Sequence, residues 1–146
     1  MGSGKYQKPV LQIAKLMLPQ LGLYYVALGQ RQHAIDALQK ALFISSEDVS
    51  ATVHLARIYL TPDNASGGGN PLQTEVKQED IDLAAGLLSH LTRGPAWDVP
   101  EAWYFLAKAY GLQGRKDRER ECLAFALELS EHRGVREISA AIGWCV

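Results

Sequence analysis

The sequence predicts an all-α fold in which helical hairpins stack as a right-handed α-solenoid that ends in a capping helix. Two observations support this prediction. A pattern of residues recurs along the chain with a period of about 34 residues, which is typical of a repeated helix–turn–helix unit. Within each period, small and large residues return at the same positions. One such hairpin cannot bury its apolar face alone, so neighbouring hairpins have to stack.

The repeats begin at Lys15, Val49 and Pro100. Each repeat has a small residue at its eighth position, and these residues are Gly22, Ala56 and Ala107. The fourth, seventh and eleventh positions are mostly large, and they hold Leu18, Leu21, Tyr25, Thr52, Leu55, Tyr59, Trp103, Leu106 and Tyr110. Small residues let two helices approach closely, and large residues fill the space between them. This is the spacing of the tetratricopeptide repeat, and stacks of such hairpins usually bind other proteins.

The helix boundaries follow from breakers and periodicity. Because a proline inside a helix clashes with the preceding turn, we expect one helix before Pro19 and a second from Pro19 to about Leu28. Gly29 is expected to form the turn that follows. Later helices are predicted over residues 31–44, 49–60, 78–92, 99–112 and 116–131. The last segment, 135–145, is predicted as a separate capping helix packed over the hairpin of residues 100–131.

The whole chain, 1–146, is predicted to be a single domain with repeats over 15–48, 49–98 and 100–133. The second repeat is interrupted by residues 62–76, a segment rich in glycine, proline and asparagine that we expect to be flexible. The third repeat departs from the pattern at Glu119, where a small residue is expected. Its second helix is therefore predicted to lie further from its partner or to begin later.

Composition excludes several classes of protein. Fifteen basic and 16 acidic residues give no overall attraction to nucleic acid or to an anionic membrane. The two cysteines, Cys122 and Cys145, argue against a disulfide-stabilised secreted scaffold, and Cys122 is expected to be a small buried thiol. No apolar window of about 18 residues is apparent, so no transmembrane segment is expected.

No pattern in the sequence predicts catalysis. The glycines of residues 67–69 are not followed by the Gly-Lys-Ser/Thr of a phosphate-binding loop, so a spacer is the better interpretation. The four histidines lack the spacing of metal ligands. The charges of residues 114–121 alternate in sign, which indicates a solvated helix face rather than a nucleic-acid site. We expect no catalytic residue, no cofactor and no metal.

One surface is predicted to bind a partner. In such stacks the first helix of each hairpin lines a concave groove, and this chain offers apolar and basic side chains at the corresponding positions. The predicted groove residues are Val53, Arg57, Leu60, Tyr104 and Lys108. Two cations among apolar side chains suit an acidic segment of a disordered tail. The carboxylate clamp that holds chaperone C-termini needs Lys and Asn where this chain has Pro19 and Leu23, so that use is not expected.

Residues 91–146 point to a narrower family. They include the segments LTRGPAWDVPEAWYFLAKAYGLQGRKDRERECL and GVREISAAIGWCV. This part of the chain resembles the C-terminal end of the fungal filamentation or cargo-transport proteins, which correspond to animal tetratricopeptide repeat protein seven. The resemblance implies a non-enzymatic scaffold of the plasma-membrane phosphatidylinositol 4-kinase complex.

The same resemblance implies the partners and the location. The scaffold would join the kinase to a lipid-anchored peripheral membrane protein whose mobile C-terminal tail docks on this repeat lobe. It would be cytoplasmic and recruited to the inner face of the plasma membrane, without inserting into the membrane. The alternative is a general peptide-binding co-chaperone or a trafficking adaptor with no link to the kinase.

Overall fold

The computed structural model describes residues 3–62 and 75–143, and the side chains of residues 10–62 and 75–133. In this part of the chain the structure is entirely helical between its turns. The helices are α1 (Ser3–Ala27), α2 (Arg31–Ile44), α3 (Val49–Tyr59), α4 (Gln78–Thr92), α5 (Pro100–Leu112) and α6 (Lys116–Gly143). Successive helices pair as three hairpins, which confirms the predicted all-α solenoid of tetratricopeptide hairpins.

Each hairpin stacks on the preceding hairpin through its own first helix. Helix α3 contacts both helices of the first hairpin, and α5 contacts both helices of the second. The core runs continuously through all three hairpins, and its largest fully buried side chains are Leu38, Leu60, Leu88 and Leu91. The middle hairpin is therefore covered on two sides, whereas each end hairpin is covered on one.

The turns of the first and third hairpins have the same construction. Gly29 and Gly114 have φ angles of 74° and 80°, a left-handed conformation that glycine adopts without a steric penalty. The amide after each glycine donates to a carbonyl five residues earlier, from Gln30 to Tyr25 and from Arg115 to Tyr110, both at 2.9 Å. This is the Schellman arrangement that ends a helix, and it confirms the turn predicted at Gly29.

The prediction of two helices around Pro19 was wrong, because α1 continues from Ser3 to Ala27 without a break. An internal proline removes one backbone hydrogen bond but does not forbid a helix that is stabilised in other ways. Pro19 is buried, and α1 packs along α2 beside it. Tertiary packing therefore offsets the local penalty.

The predicted capping helix over residues 135–145 was also wrong as a separate element. Helix α6 continues through Gly134 to Gly143, so no turn returns this segment over the third hairpin. A single glycine costs a helix only about 1 kcal/mol relative to alanine, which the flanking helix formers offset. Trp144 and Cys145 lie outside the described residues, and so do residues 63–74 of the predicted flexible insert.

Helix α1 also corrects the expectation about apolar windows. Its segment Val10–Ala27 has a mean hydropathy of 1.2 over 18 residues, which is long and apolar enough to cross a membrane by length and composition alone. Only 11% of this segment is buried within the fold. Such a segment is weak evidence of a membrane span, but it shows that α1 has an apolar surface that the hairpins do not cover.

The departure at Glu119 has a local explanation. Helix α6 begins at Lys116, as predicted, and the Glu119 carboxyl group lies over Gly111 of α5. A Cβ at Gly111 would be 2.7 Å from Glu119 Cδ. The small residue that the repeat needs at this contact is therefore supplied by the other helix, so α6 neither begins later nor requires a small residue at 119.

Candidate protein-binding groove

A groove lies between α5 and α6 on the described surface. It has a volume of about 570 Å³ and is open along one side. Its lining is mostly apolar, and it consists of Pro100, Glu101, Tyr104, Phe105, Leu123, Ala126, Leu127 and Ser130. Tyr104 and Leu127 are 51% and 62% exposed, so a ligand could bury large parts of both side chains.

Helical periodicity places these side chains together. Pro100 opens α5 at a position where proline costs no hydrogen bond, and Tyr104 follows one turn later. Leu123, Leu127 and Ser130 are four and three residues apart on α6, so they share one face of that helix. The groove is therefore formed by two parallel rows of side chains, one from each helix of the last hairpin.

An ion pair borders the groove. Arg133 Nη1 donates to Glu101 Oε1 at 3.0 Å, which links the C-terminal half of α6 to the first turn of α5. Both side chains are about half exposed, so the pair contributes little to stability. It does provide one acidic and one basic group beside an otherwise apolar surface.

An aromatic pair holds the two helices of this hairpin together. Trp103 on α5 stacks on Phe125 of α6 with 5.0 Å between ring centroids, and its Nε1 donates to the Trp97 carbonyl at 2.9 Å. Trp103 therefore lies between the two helices of the third hairpin, as the sequence predicted. It packs against the core but is only partly buried, so it is not a fully enclosed core residue.

The structure places the five predicted groove residues in two different environments. Val53 and Leu60 are core residues with 9% and 1% of their surface exposed, so their assignment to a binding groove was wrong. The reason is the position of α3, which contacts α1, α2, α4 and α5 and has few free faces. Arg57 and Lys108 are exposed, and Tyr104 lines the α5–α6 groove.

The exposed cations lie on successive first helices. Lys108 is one turn beyond Tyr104 on α5, so it lies beside the groove, whereas Arg57 belongs to the neighbouring hairpin. Together with burial, the Arg57 charge lowers the pKa of His54, an effect that Asp48 partly opposes. The positions of the chaperone clamp hold Pro19, which is buried, and the partly buried Leu23, neither of which can bind a carboxylate.

A contact that joins three helices was missed from the sequence. Arg31, the first residue of α2, donates from Nη1 to the carbonyl oxygens of Ile58 and Thr61 at 2.7 and 2.8 Å. Its Nη2 donates to Asp80 Oδ2 at 3.0 Å in the first turn of α4. The arginine thus binds both sides of the insert in the second repeat. The only signal in the sequence was an arginine and an aspartate at two helix starts, which specifies no pairing.

The described residues offer little for catalysis. Burial raises the pKa of the Cys122 thiol, so Cys122 is a buried thiol, as predicted, and not an activated nucleophile. In residues 3–62 and 75–143 no group of three histidine, cysteine, aspartate or glutamate side chains could hold a metal ion. The groove can bury apolar side chains of another molecule beside the exposed Glu101–Arg133 ion pair.

The fold and the groove define a helical-repeat protein with a surface for binding other proteins. A sequence model of the tetratricopeptide repeat matches residues 20–48 and 100–133, which lie in the first and third hairpins. The chain is also similar to the putative cargo-transport protein ypp1 of Schizosaccharomyces pombe, with 25% identity over 118 residues. That similarity covers 81% of this chain and 12% of the S. pombe protein, so the chain spans about an eighth of its relative. These findings support the role of a protein-interaction adaptor.

Proposed function

We propose that this chain is a non-catalytic adaptor whose α5–α6 groove binds a segment of a partner protein's disordered tail. The partner is a lipid-anchored peripheral membrane protein, and the assembly helps to recruit a phosphatidylinositol 4-kinase to the inner face of the plasma membrane. The kinase is contacted through the rest of the scaffold. The adaptor acts in the cytoplasm and binds neither nucleic acid nor the interior of the membrane.

The apolar groove is the observation that supports this proposal most directly. Exposed Tyr104 and Leu127 face a cavity large enough for several side chains, and apolar anchors in such a cavity supply most of the affinity of a peptide. Lys108 lies one turn from Tyr104, so an acidic residue of the bound segment can pair with it. A tail with apolar and acidic residues therefore suits this site best.

The choice of partner depends on the resemblance of residues 91–146 to the fungal filamentation and cargo-transport proteins. A disordered tail loses conformational entropy when it docks, so its affinity should be modest and sensitive to its charge. Phosphorylation of the tail would add negative charge and change its fit beside Lys108 and the Glu101–Arg133 pair. The kinase link requires contacts that lie outside the 146 residues of this chain.

A peptide-binding co-chaperone or a trafficking adaptor without the kinase is the second candidate. The name of the S. pombe relative, a putative cargo-transport protein, favours a transport role in that protein. The groove itself suits either function, because it selects a segment by apolar anchors and charge. Co-precipitation separates the candidates. Recovery of the kinase complex supports the first, and recovery of cargo proteins without kinase supports the second.

The binding site is tested by calorimetric titration of the chain with tail peptides of the membrane anchor. Leu127→Glu should raise the Kd at least about tenfold, since it places a charge in the apolar lining. Leu83→Glu is the matched control. Leu83 is an exposed leucine on α4, the second helix of the middle hairpin, which does not line the groove. If both variants bind like the wild type, the groove is not the site.

The contribution of charge is tested separately. Reversal of both Arg57 and Lys108 to glutamate should weaken binding while the helical circular dichroism signal stays unchanged. Lys108→Glu alone should account for most of the effect, because Lys108 lies beside the groove and Arg57 lies on the neighbouring hairpin. An unchanged Kd for the double variant would exclude an acidic segment as the ligand of this face.

A further inference from the structure

Helix α1 has a second apolar face that the hairpin does not use. Its core face packs against α2 and the core through Leu18, Gly22 and Tyr25. A separate row of large apolar side chains lies on the exposed side of the helix, and we name it the α1 stripe. The α1 stripe consists of Val10, Ile13, Met17, Leu21 and Tyr24, each between 40% and 65% exposed.

The spacing of the α1 stripe is the spacing of a helix–helix seam. Its members follow one another at intervals of three, four, four and three residues, which keeps them on one face of a helix over about 20 Å. Exposed apolar rows of this length mark interaction sites more often than solvated surface. We expect a second helix to cover the stripe.

These intervals read the same in both directions along α1. A second copy of α1 that runs antiparallel to the first therefore matches the stripe. An antiparallel helix of identical sequence, centred on Met17, places Val10 opposite Tyr24 and Ile13 opposite Leu21. Val10 then meets a larger side chain, Ile13 meets one of equal size, and Met17 meets its own copy. Such self-complementarity is what a twofold symmetric interface requires.

The charges of α1 also favour a second copy. Between Val10 and Ala27 the only charged residue is Lys15, so the stripe offers no charge that would select an acidic or a basic partner. A membrane is a poorer occupant, because the other face of α1 is held in the hairpin where Leu38 packs on Gly22. Lipid could not surround α1 without opening that contact.

We propose that two copies of this chain associate through an antiparallel, twofold pairing of their α1 stripes. The pairing would bury on the order of 1,000 Å² in total, close to the lower bound for a specific interface, so the dimer dissociates on dilution. This surface is separate from the α5–α6 groove. The dimer would therefore present two grooves, and a partner with two tail segments would bind it with increased avidity.

Sedimentation velocity of the complete chain over a wide concentration range tests the pairing. The wild type should pass from monomer to dimer, and Met17→Lys should raise the dimer Kd by about a hundredfold, since two ammonium groups would meet at the symmetry axis. Gln12→Lys, an exposed substitution on another face of α1, should leave the Kd unchanged. A monomer at every concentration, or a Met17→Lys variant that dimerises like the wild type, would overturn the proposal.

Disulfide formation tests the orientation in a Cys145→Ser background. Met17→Cys should cross-link to itself, and Val10→Cys should cross-link to Tyr24→Cys when the two variants are mixed. Val10→Cys alone should not, because antiparallel pairing separates its two copies by about 20 Å, beyond the reach of a disulfide. Self-cross-linking of Val10→Cys would contradict the antiparallel arrangement. Flotation of a monomeric chain with phosphatidylserine vesicles would assign the stripe to a membrane instead.

Discussion

Leu38 on α2 occupies the space that a side chain at Gly22 on α1 would need. A Cβ at Gly22 would be 2.8 Å from Leu38 Cγ and 2.9 Å from Leu38 Cδ2, which is closer than carbon atoms approach in folded proteins. Leu38 is fully buried, so a shift of its side chain would disturb the packing of the core. The contact fixes how closely the first two helices lie, and it explains why the eighth position of the first repeat is a glycine.

The surroundings of Gly22 and Gly111 predict opposite effects of a glycine-to-alanine substitution on stability. Gly22→Ala should lower the free energy of unfolding by about 1–3 kcal/mol, because the added methyl group overpacks the core. Gly111→Ala should be neutral or stabilising, because the group it meets is the flexible end of Glu119 and alanine is the better helix former. Urea denaturation of both variants measures the difference. Equal effects would contradict this account of the α1–α2 contact.

Arg31→Ala should destabilise the chain by about 2 kcal/mol, since three hydrogen bonds to a partly buried guanidinium are lost. Arg31→Lys should recover part of the loss, because an ammonium group cannot reach the same acceptors in a fork. Arg93→Ala is the control, because Arg93 is exposed and its side chain bonds to Ser89 within the same helix. If thermal unfolding gives the same Tm for Arg31→Ala, Arg31→Lys and Arg93→Ala, Arg31 does not have the role assigned to it.

Trp103→Ala should cost about 3 kcal/mol, the lower end of the range for a large aromatic residue, because Trp103 is only partly buried. Trp103→Phe keeps an aromatic ring against Phe125 but loses the hydrogen bond to the Trp97 carbonyl, so about 1 kcal/mol is expected. Trp97→Phe should have little effect on chemical denaturation, because the Trp97 side chain is 66% exposed. A stable Trp103→Ala variant would show that the stack does not hold the hairpin together.

The stability of the chain should decrease on mild acidification because of His54. Burial, reinforced by Arg57, lowers the pKa of His54 below its ordinary value of 6.5. The unfolded chain therefore binds more protons just below pH 6.5, and the free energy of unfolding falls as the pH decreases from 6.5 towards the folded pKa. Above 6.5 the contribution is constant. His54→Gln should remove this dependence in urea denaturation, whereas substitution of the exposed His90 should not.

Replacement of residues 63–74 by a short glycine–serine linker should leave the fold intact. Loop length has a weak effect on stability, about 0.6 kcal/mol for each doubling. Arg31 also binds both flanks of the insert, through the Thr61 carbonyl and Asp80, and so holds the ends together. Circular dichroism should show unchanged helicity and a Tm within a few degrees of the wild type. A much lower Tm would mean that the insert packs on the hairpins.

The sequence was sufficient for the architecture. The recurring small and large positions predicted three hairpins, and the starts of α2, α3, α4 and α6 lie where breakers and caps placed them. These features are local, since they depend on helical periodicity and on residues a few positions apart. The turn at Gly29 is also a local feature, because it requires only a backbone conformation that glycine adopts easily.

Helix ends and surface exposure were decided by contacts between helices. Pro19 was predicted to divide α1, yet packing on α2 maintains a single helix. Val53 and Leu60 were assigned to a groove by their position in the repeat, but the middle hairpin is covered by both neighbours and buries them. Tyr104 remains accessible because its hairpin is covered on one side only. Burial of a side chain depends on which elements lie beside its helix. Because the repeat pattern is the same in a middle hairpin and in an end hairpin, the pattern cannot predict this burial.

The sequence by itself determined which residues form helices, where small residues allow close approach, and that the chain is an all-α stack of hairpins. Tertiary structure alone decided that Glu119 could replace a small residue, because Gly111 on the opposite helix leaves space for it. It also decided that Arg31 would join α3 to α4, a pairing between residues far apart in the chain. The physical reason is range: helix formation depends on neighbours within about one turn, whereas space, burial and ion pairs depend on residues that only folding brings together.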